Sequence, residues 1–137
     1  MNYDTDFPAW AGEQAALLRR RAHNEIDWDN IAEEIEDLGN EKINACKSLL
    51  VRTMSHRLKM MAWPQSRDVV HWQAEANEFL AQARDRYAPS MRQKLDLAGL
   101  YQRAIRATPV ALDDVPLTAP IVCPWTLDEL LLAEDDR

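Results

Sequence analysis

The chain has 137 residues, of which 47% are apolar and 28% charged, with three glycines and a net charge of −7. A chain of this length holds a single core, and its apolar runs, such as Leu130–Ala133, are far too short to cross a bilayer. The acidic start Met1-Asn2-Tyr3-Asp4 has no basic n-region or apolar stretch, so neither a membrane span nor a secretory signal is expected. The expectation is one helical domain over 1–137, without a membrane role and cytoplasmic. The two cysteines, Cys46 and Cys123, lack a C-x-x-C spacing, which suits free thiols in a reducing compartment.

The charge is laid out in three blocks. Residues 1–41 hold 11 acids and 3 bases (−8), residues 42–106 hold 12 bases and 5 acids (+7), and residues 107–137 hold 7 acids and 1 base (−6). Such a chain neutralises itself across helix interfaces or between copies. Exposed basic faces that bind nucleic acid usually belong to domains of net positive charge, so nucleic acid is not the expected partner.

The first helix is predicted from Phe7 or Pro8 to Ala22, with Asp6 as N-cap and Pro8 in the first turn. Phe7, Trp10, Ala11, Leu17 and Leu18 line its apolar face, and Arg19–Arg21 close it where the dipole favours cations. A second helix opens at Asp27 or Trp28 with acids in its first turns. Its stripe, Ile31, Ile35 and Leu38, resumes at Ile43, Cys46, Leu49, Leu50, Met54, Leu58 and Met61 until Trp63-Pro64 stops it. One long helix is favoured, because a glycine such as Gly39 costs only about 1 kcal/mol against alanine. A third helix, capped by Ser66, runs to Tyr87 with Val69, Trp72, Ala76, Phe79, Leu80, Ala83 and Tyr87 in one arc. Ser90–Ala107 reads as further helix with Gly99 as a joint. Val110–Pro124 reads as an ordered wrapping segment. Thr126-Leu127-Asp128-Glu129 is a capping box opening a short helix, Leu127–Leu132. The fold expected is an all-α bundle of about five helices, orthogonal or up-down, closed by this segment.

Several motifs resemble one known family. Tyr3-Asp4-x-Asp6-Phe7-x-Ala9-Trp10, followed by Gln14-Ala15-Ala16-Leu17-Leu18-Arg19, resembles the opening of the small helical proteins catalogued as domain of unknown function 29. Asn30-Ile31-Ala32-Glu33-Glu34-Ile35-Glu36-Asp37-Leu38-Gly39 resembles its central acidic motif. His56-Arg57-Leu58-Lys59 lies where the family tends to read His-Leu-Leu-Lys, and Cys123-Pro124-Trp125-Thr126-Leu127 resembles its closing segment. Departures are Lys59-Met60 for the family's Lys-Trp and His71-Trp72 for its Ser-Trp. The resemblance implies a helical bundle, mostly bacterial, with no agreed activity.

The acidic cluster Glu33, Glu34 and Asp37 is the candidate metal site. Clustered helical carboxylates hold Mg²⁺ in all-α nucleotide pyrophosphatases. Here, however, the run is E-E-x-x-D, and the later E-x-x-E, Glu75–Glu78, points away from its helix's apolar arc. A solvated helix face is the plainer reading, and no cofactor is expected. Asp68-x-x-His71 supplies only one half of a ferritin-like site. His56, beside Leu49, Thr53 and Met60 at the edge of a buried stripe, reads as a hydrogen-bonded core residue, with Glu34 an attractive partner. Gln14, on the apolar face of the first helix, reads as a buried amide tied to neighbouring backbone. Gln14, His56 and Lys59 are thus the candidates for a polar site. Arg52, Arg57, Lys59 and Arg67 beside Trp63 form the candidate basic patch. No G-x-S-x-G, phosphate-binding glycine loop or motif-level cysteine–histidine pair appears. The function expected is a non-enzymatic protein-interaction domain acting as a homodimer, through apolar surface at Met54, Met60, Met61 and Trp63 and opposed charge blocks. The alternatives are a Mg²⁺-dependent nucleotide hydrolase using Glu33–Asp37 and a nucleic-acid-binding regulator using the basic middle.

Overall fold

The computed structural model describes residues 2–132. The chain is all-α, with five α-helices, one 3₁₀ turn and a two-stranded ribbon among these residues. It packs as two compact units that divide between Glu41 and Lys42, inside one helix.

The first unit is a helical hairpin. Helix α1 (Phe7–Arg19) starts where the Asp6 carboxylate accepts from the Ala9 N–H at 3.2 Å, with Pro8 in the first turn. It ends three residues before the expected Ala22. Arg21 takes a left-handed φ of 55°, and the Ala22 N–H donates back to the Leu17 carbonyl, so the chain turns as soon as the arginines are reached. Trp10, Gln14, Leu17 and Ile26 are buried here. The rings of Tyr3, Phe7 and Trp10 pack edge to face or tilted, with Tyr3 and Trp10 centroids 4.6 Å apart.

Helix α2 (Trp28–Ala62) runs through Gly39 without a break. Apart from the helix's own backbone, nothing lies within 4 Å of where a Gly39 Cβ would sit, so no close approach demands glycine, and its weak propensity is simply outvoted by the residues around it.

The second unit holds the main core. Its fully buried members include Cys46, Leu50, Met54 and Leu58 of α2, Ala83 of α3 (Val69–Arg86), Ala104 of α4 (Leu97–Ala107) and Leu130 of α5 (Leu127–Leu131). Helix α3 begins two residues later than expected, with Asp68 rather than Ser66 in the N-cap position. Ser66 instead makes a turn, its hydroxyl accepting from the Asp68 N–H at 3.1 Å. The predicted helix Ser90–Ala107 is divided: Pro89–Lys94 is 3₁₀ and α4 starts at Leu97. The joint is at Leu95-Asp96 rather than Gly99, where extended backbone lets Met91 and Leu95 both reach the core.

The segment after α4 contains an antiparallel ribbon, β1 (Ala111–Leu112) and β2 (Val115–Pro116), with Leu112 paired to Val115. Asp113 and Asp114 make its two-residue turn with φ of 49° and 66°, as a type I′ hairpin requires. Acidic residues tolerate the left-handed region better than most, but Asp-Asp is a weak signal beside Asn-Gly. Tyr101 donates to the Pro120 carbonyl at 2.6 Å and Trp63 to the Val115 carbonyl at 2.9 Å, which pins the wrapping segment to α4 and to the end of α2. The Thr126 cap forms: its hydroxyl accepts from the Glu129 N–H at 3.1 Å and donates to the Glu129 carboxylate at 3.2 Å. Leu130 and Leu131 enter the core.

Candidate functional site

In the first unit, the motif residues build one polar network. Gln14 Oε1 accepts from the Asp27 N–H at 2.8 Å, which satisfies a backbone donor just before α2 begins. The Asp27 carboxylate accepts from Asn30 Nδ2 at 2.8 Å and from Trp10 Nε1 at 3.1 Å. The bond from Asn30 holds its pKa below the usual aspartate range, against the desolvation that raises it. Tyr3 donates to Glu34, and this bond, with the negative charge of Glu34, pushes the phenol well above its ordinary pKa. An open cleft of about 540 Å³ is lined by Asn2, Tyr3, Asp4, Gln14, Asp27 and Asn30, among others. Tyr3, Trp10, Gln14, Asp27, Asn30 and Glu34 are engaged in holding the hairpin together, and Gln14 has the role of a packing amide.

The metal candidates are not brought together. Glu34 is bound by Tyr3 and half-buried, whereas Glu33 and Asp37 are exposed. Among the described residues, no three His, Cys, Asp or Glu side chains are arranged to hold a metal ion.

In the second unit, His56 meets Glu75, not Glu34. Lys59 Nζ lies 3.4 Å from His56 Nδ1, and His56 Nε2 bonds to Glu75. The ammonium can only donate, so Nδ1 is the acceptor in that contact. His71 Nε2 reaches the other carboxylate oxygen at 2.8 Å. Glu75 is therefore half-buried in a polar clasp rather than turned to solvent. The His56 bond, assisted by His71 and Lys59, holds its pKa below the ordinary glutamate value.

The basic candidates are largely spoken for. Arg52 lies over Phe79, Arg57 over Trp125 and Lys59 over Trp72, at 5.7, 5.4 and 5.9 Å from the ring centroids. Arg84 donates to the Leu130 and Glu129 carbonyls at the end of α5, and Arg92 pairs with Asp128 at 2.6 Å. These groups clamp the closing segment. Both cysteines are free, and burial raises each thiol's pKa.

Of the apolar residues the sequence put at the surface, Met61 is 48% exposed and Met60 is half-buried. Met54 and Trp63 are buried, and Trp63 is held by its indole bond to the ribbon. Exposed apolar groups occur on the second unit, at Met61, Val70, Val110, Val115, Ile121 and Val122, and on the hairpin, where Phe7 is 45% exposed, Leu18 40%, Trp28 49%, Ile35 66% and Leu38 54%. The predicted buried stripe of the second helix is thus uncovered at Ile35 and Leu38. An apolar groove of about 260 Å³ runs between α1 and the first half of α2, lined by Phe7, Ala11, Leu18, Ile31, Ile35 and Leu38, among others. Sequence periodicity marked these residues as apolar but could not tell whether a neighbour would cover them.

These features describe an all-α protein whose hairpin presents an apolar two-helix face. Residues 2–135 match the family described as domain of unknown function DUF29, and the chain belongs to that family. The fold is similar to that of a crystallised alpha-helical protein of unknown function from Rhodospirillum rubrum. The TM-score is 0.74 and the identity 25%, covering 99% of this chain and 92% of that one. No curated protein matches the chain. Among the described residues, no helix is long and apolar enough to cross a membrane.

Proposed function

We propose that this protein is a protein-interaction domain whose working surface is the apolar face of the α1–α2 hairpin. The observation that carries the reading is the exposure of Phe7, Leu18, Ile35 and Leu38 along adjoining helical stripes. A hairpin of about 40 residues has too little interior to bury such stripes by itself. Patches of this kind mark interaction sites on folded proteins.

The energetics favour a partner that also brings polar complementarity. Fully burying a side chain of this size contributes about 1.5–3 kcal/mol, and these four are already roughly half-covered. Their remaining burial contributes on the order of 4 kcal/mol, which only offsets the lower estimates of the cost of association. Charge or Trp28 must add the surplus.

The test is a photo-crosslinking amino acid placed at Ile35, with one at exposed Val70 of α3 as the control, in cells expressing the full chain. Protein adducts at Ile35 that are absent at Val70 support the reading. A chain that forms none at Ile35 overturns it.

A further inference from the structure

We infer that the occupant of the hairpin face is a second copy of the chain, laid antiparallel across it about a two-fold axis so that two hairpins close into a four-helix bundle. This inference depends on the interaction reading and names its partner. It starts from the distribution of charge along the hairpin.

Residues 19–30, at the turn, hold three bases (Arg19, Arg20, Arg21) and three acids (Glu25, Asp27, Asp29). Of those acids, Asp27 is engaged by Trp10 and Asn30, and Glu25 lies 3.8 Å from Arg20 in a solvent-exposed pair within the same turn. The rest of residues 1–41 carries eight acids and no base. The hairpin is therefore strongly acidic at its open end and relieved only at its turn. Arg19, Arg20 and Arg21 are exposed, as are Glu33, Glu36 and Asp37 on α2.

A parallel arrangement of two such hairpins would stack the acidic ends on each other. An antiparallel one sets each arginine turn against the partner's acidic end, twice over. The apolar stripes Phe7–Leu18 and Ile31–Leu38 are then shared in the middle. A two-fold pairing uses the same patch on both copies and closes on itself, and two helices from each side complete the core of a four-helix bundle. The arginine pairs supply the orientation that apolar burial lacks, since charges across an interface fix register more than they add affinity.

Sedimentation velocity of the purified full chain at about 100 µM tests this directly. The expected result is a dimer that Ile35→Glu converts to monomer. Reversing the turn with Arg19→Glu and Arg20→Glu should weaken the dimer about tenfold or more, and adding Glu36→Lys and Asp37→Lys to the same chain should restore it. All four positions are exposed, and recovery in the charge-swapped chain shows that folding was never the cause. A monomer at that concentration overturns the inference. So does a dimer indifferent to Ile35→Glu, or one in which charge reversal has no effect. A monomeric chain that still crosslinks another protein through Ile35 removes the second copy as occupant and leaves the interaction reading standing. A monomer without any adduct removes both.

Discussion

At the residue scale, the polar side chains that first suggest chemistry are used to hold helices. Gln14 meets the Asp27 N–H. His56 is held between Lys59 and Glu75. In the core, the Thr108 hydroxyl donates to the Ala104 carbonyl and accepts from Ser55 at 2.7 Å, so two buried hydroxyls are paired without help from solvent. The Glu75 clasp carries a pH dependence whose sign follows from its depressed pKa. A carboxylate bound more tightly in the folded state contributes stability that is present above its ordinary value of 4.5. That contribution is lost as pH falls through the depressed folded value. Glu75→Gln should therefore be less stable than the parent at neutral pH, with the gap closing as acid is added. Urea melts of both chains from neutral pH to below 4.5 check this, and a gap that does not narrow would contradict it.

At the scale of elements, local signals worked where they were chemical and short-ranged. Asp6 starts α1 and Thr126 starts α5 because a side-chain oxygen three residues upstream can reach an unpaired N–H. They failed where two local solutions were nearly equal. Ser90–Ala107 has apolar residues throughout, yet Leu95-Asp96 leaves helical geometry because burying Met91 and Leu95 together outweighs one more helical turn. The ribbon at Ala111–Pro116 was hidden by an Asp-Asp turn and by strands of two residues. Helix α5 is too short to persist without its cap and its place in the core. Thr126→Ala should cost about 1 kcal/mol, read as a lower denaturation midpoint with an unchanged slope. Thr126→Ser should recover most of it.

At the scale of the whole molecule, α2 passes from one compact unit into another, and its environment changes along its length. Residues Cys46–Leu58 include six that are buried hydrophobics and join the main core, whereas Ile35 and Leu38 are exposed. Protection from hydrogen exchange follows packing rather than helical content. On the Ile35→Glu chain, where association does not intervene, amides of Cys46–Leu58 should exchange at least about tenfold more slowly than those of Ala32–Asn40. Uniform exchange along the helix would show that the two units open together.

What the sequence determined by itself was the part of the fold written in local chemistry. The caps Asp6 and Thr126, the prolines, helical periodicity and the continuity of α2 through Gly39 follow from each residue and its near neighbours, whereas Ser66 makes a turn instead of the expected cap. So did the family, because Tyr3–Trp10, Asn30–Gly39 and Cys123–Thr126 are contiguous motifs. Tertiary structure alone decided which apolar stripes are covered and which titratable groups meet. Periodicity ranks residues by their preference for an interior but does not locate one. It marked Met54 and Ile35 alike, although the first is fully buried and the second two-thirds exposed. Pairing of charges depends on which helices become neighbours. Glu34 therefore went to Tyr3 and Glu75 to His56, pairs separated by 31 and 19 residues that no spacing rule connects.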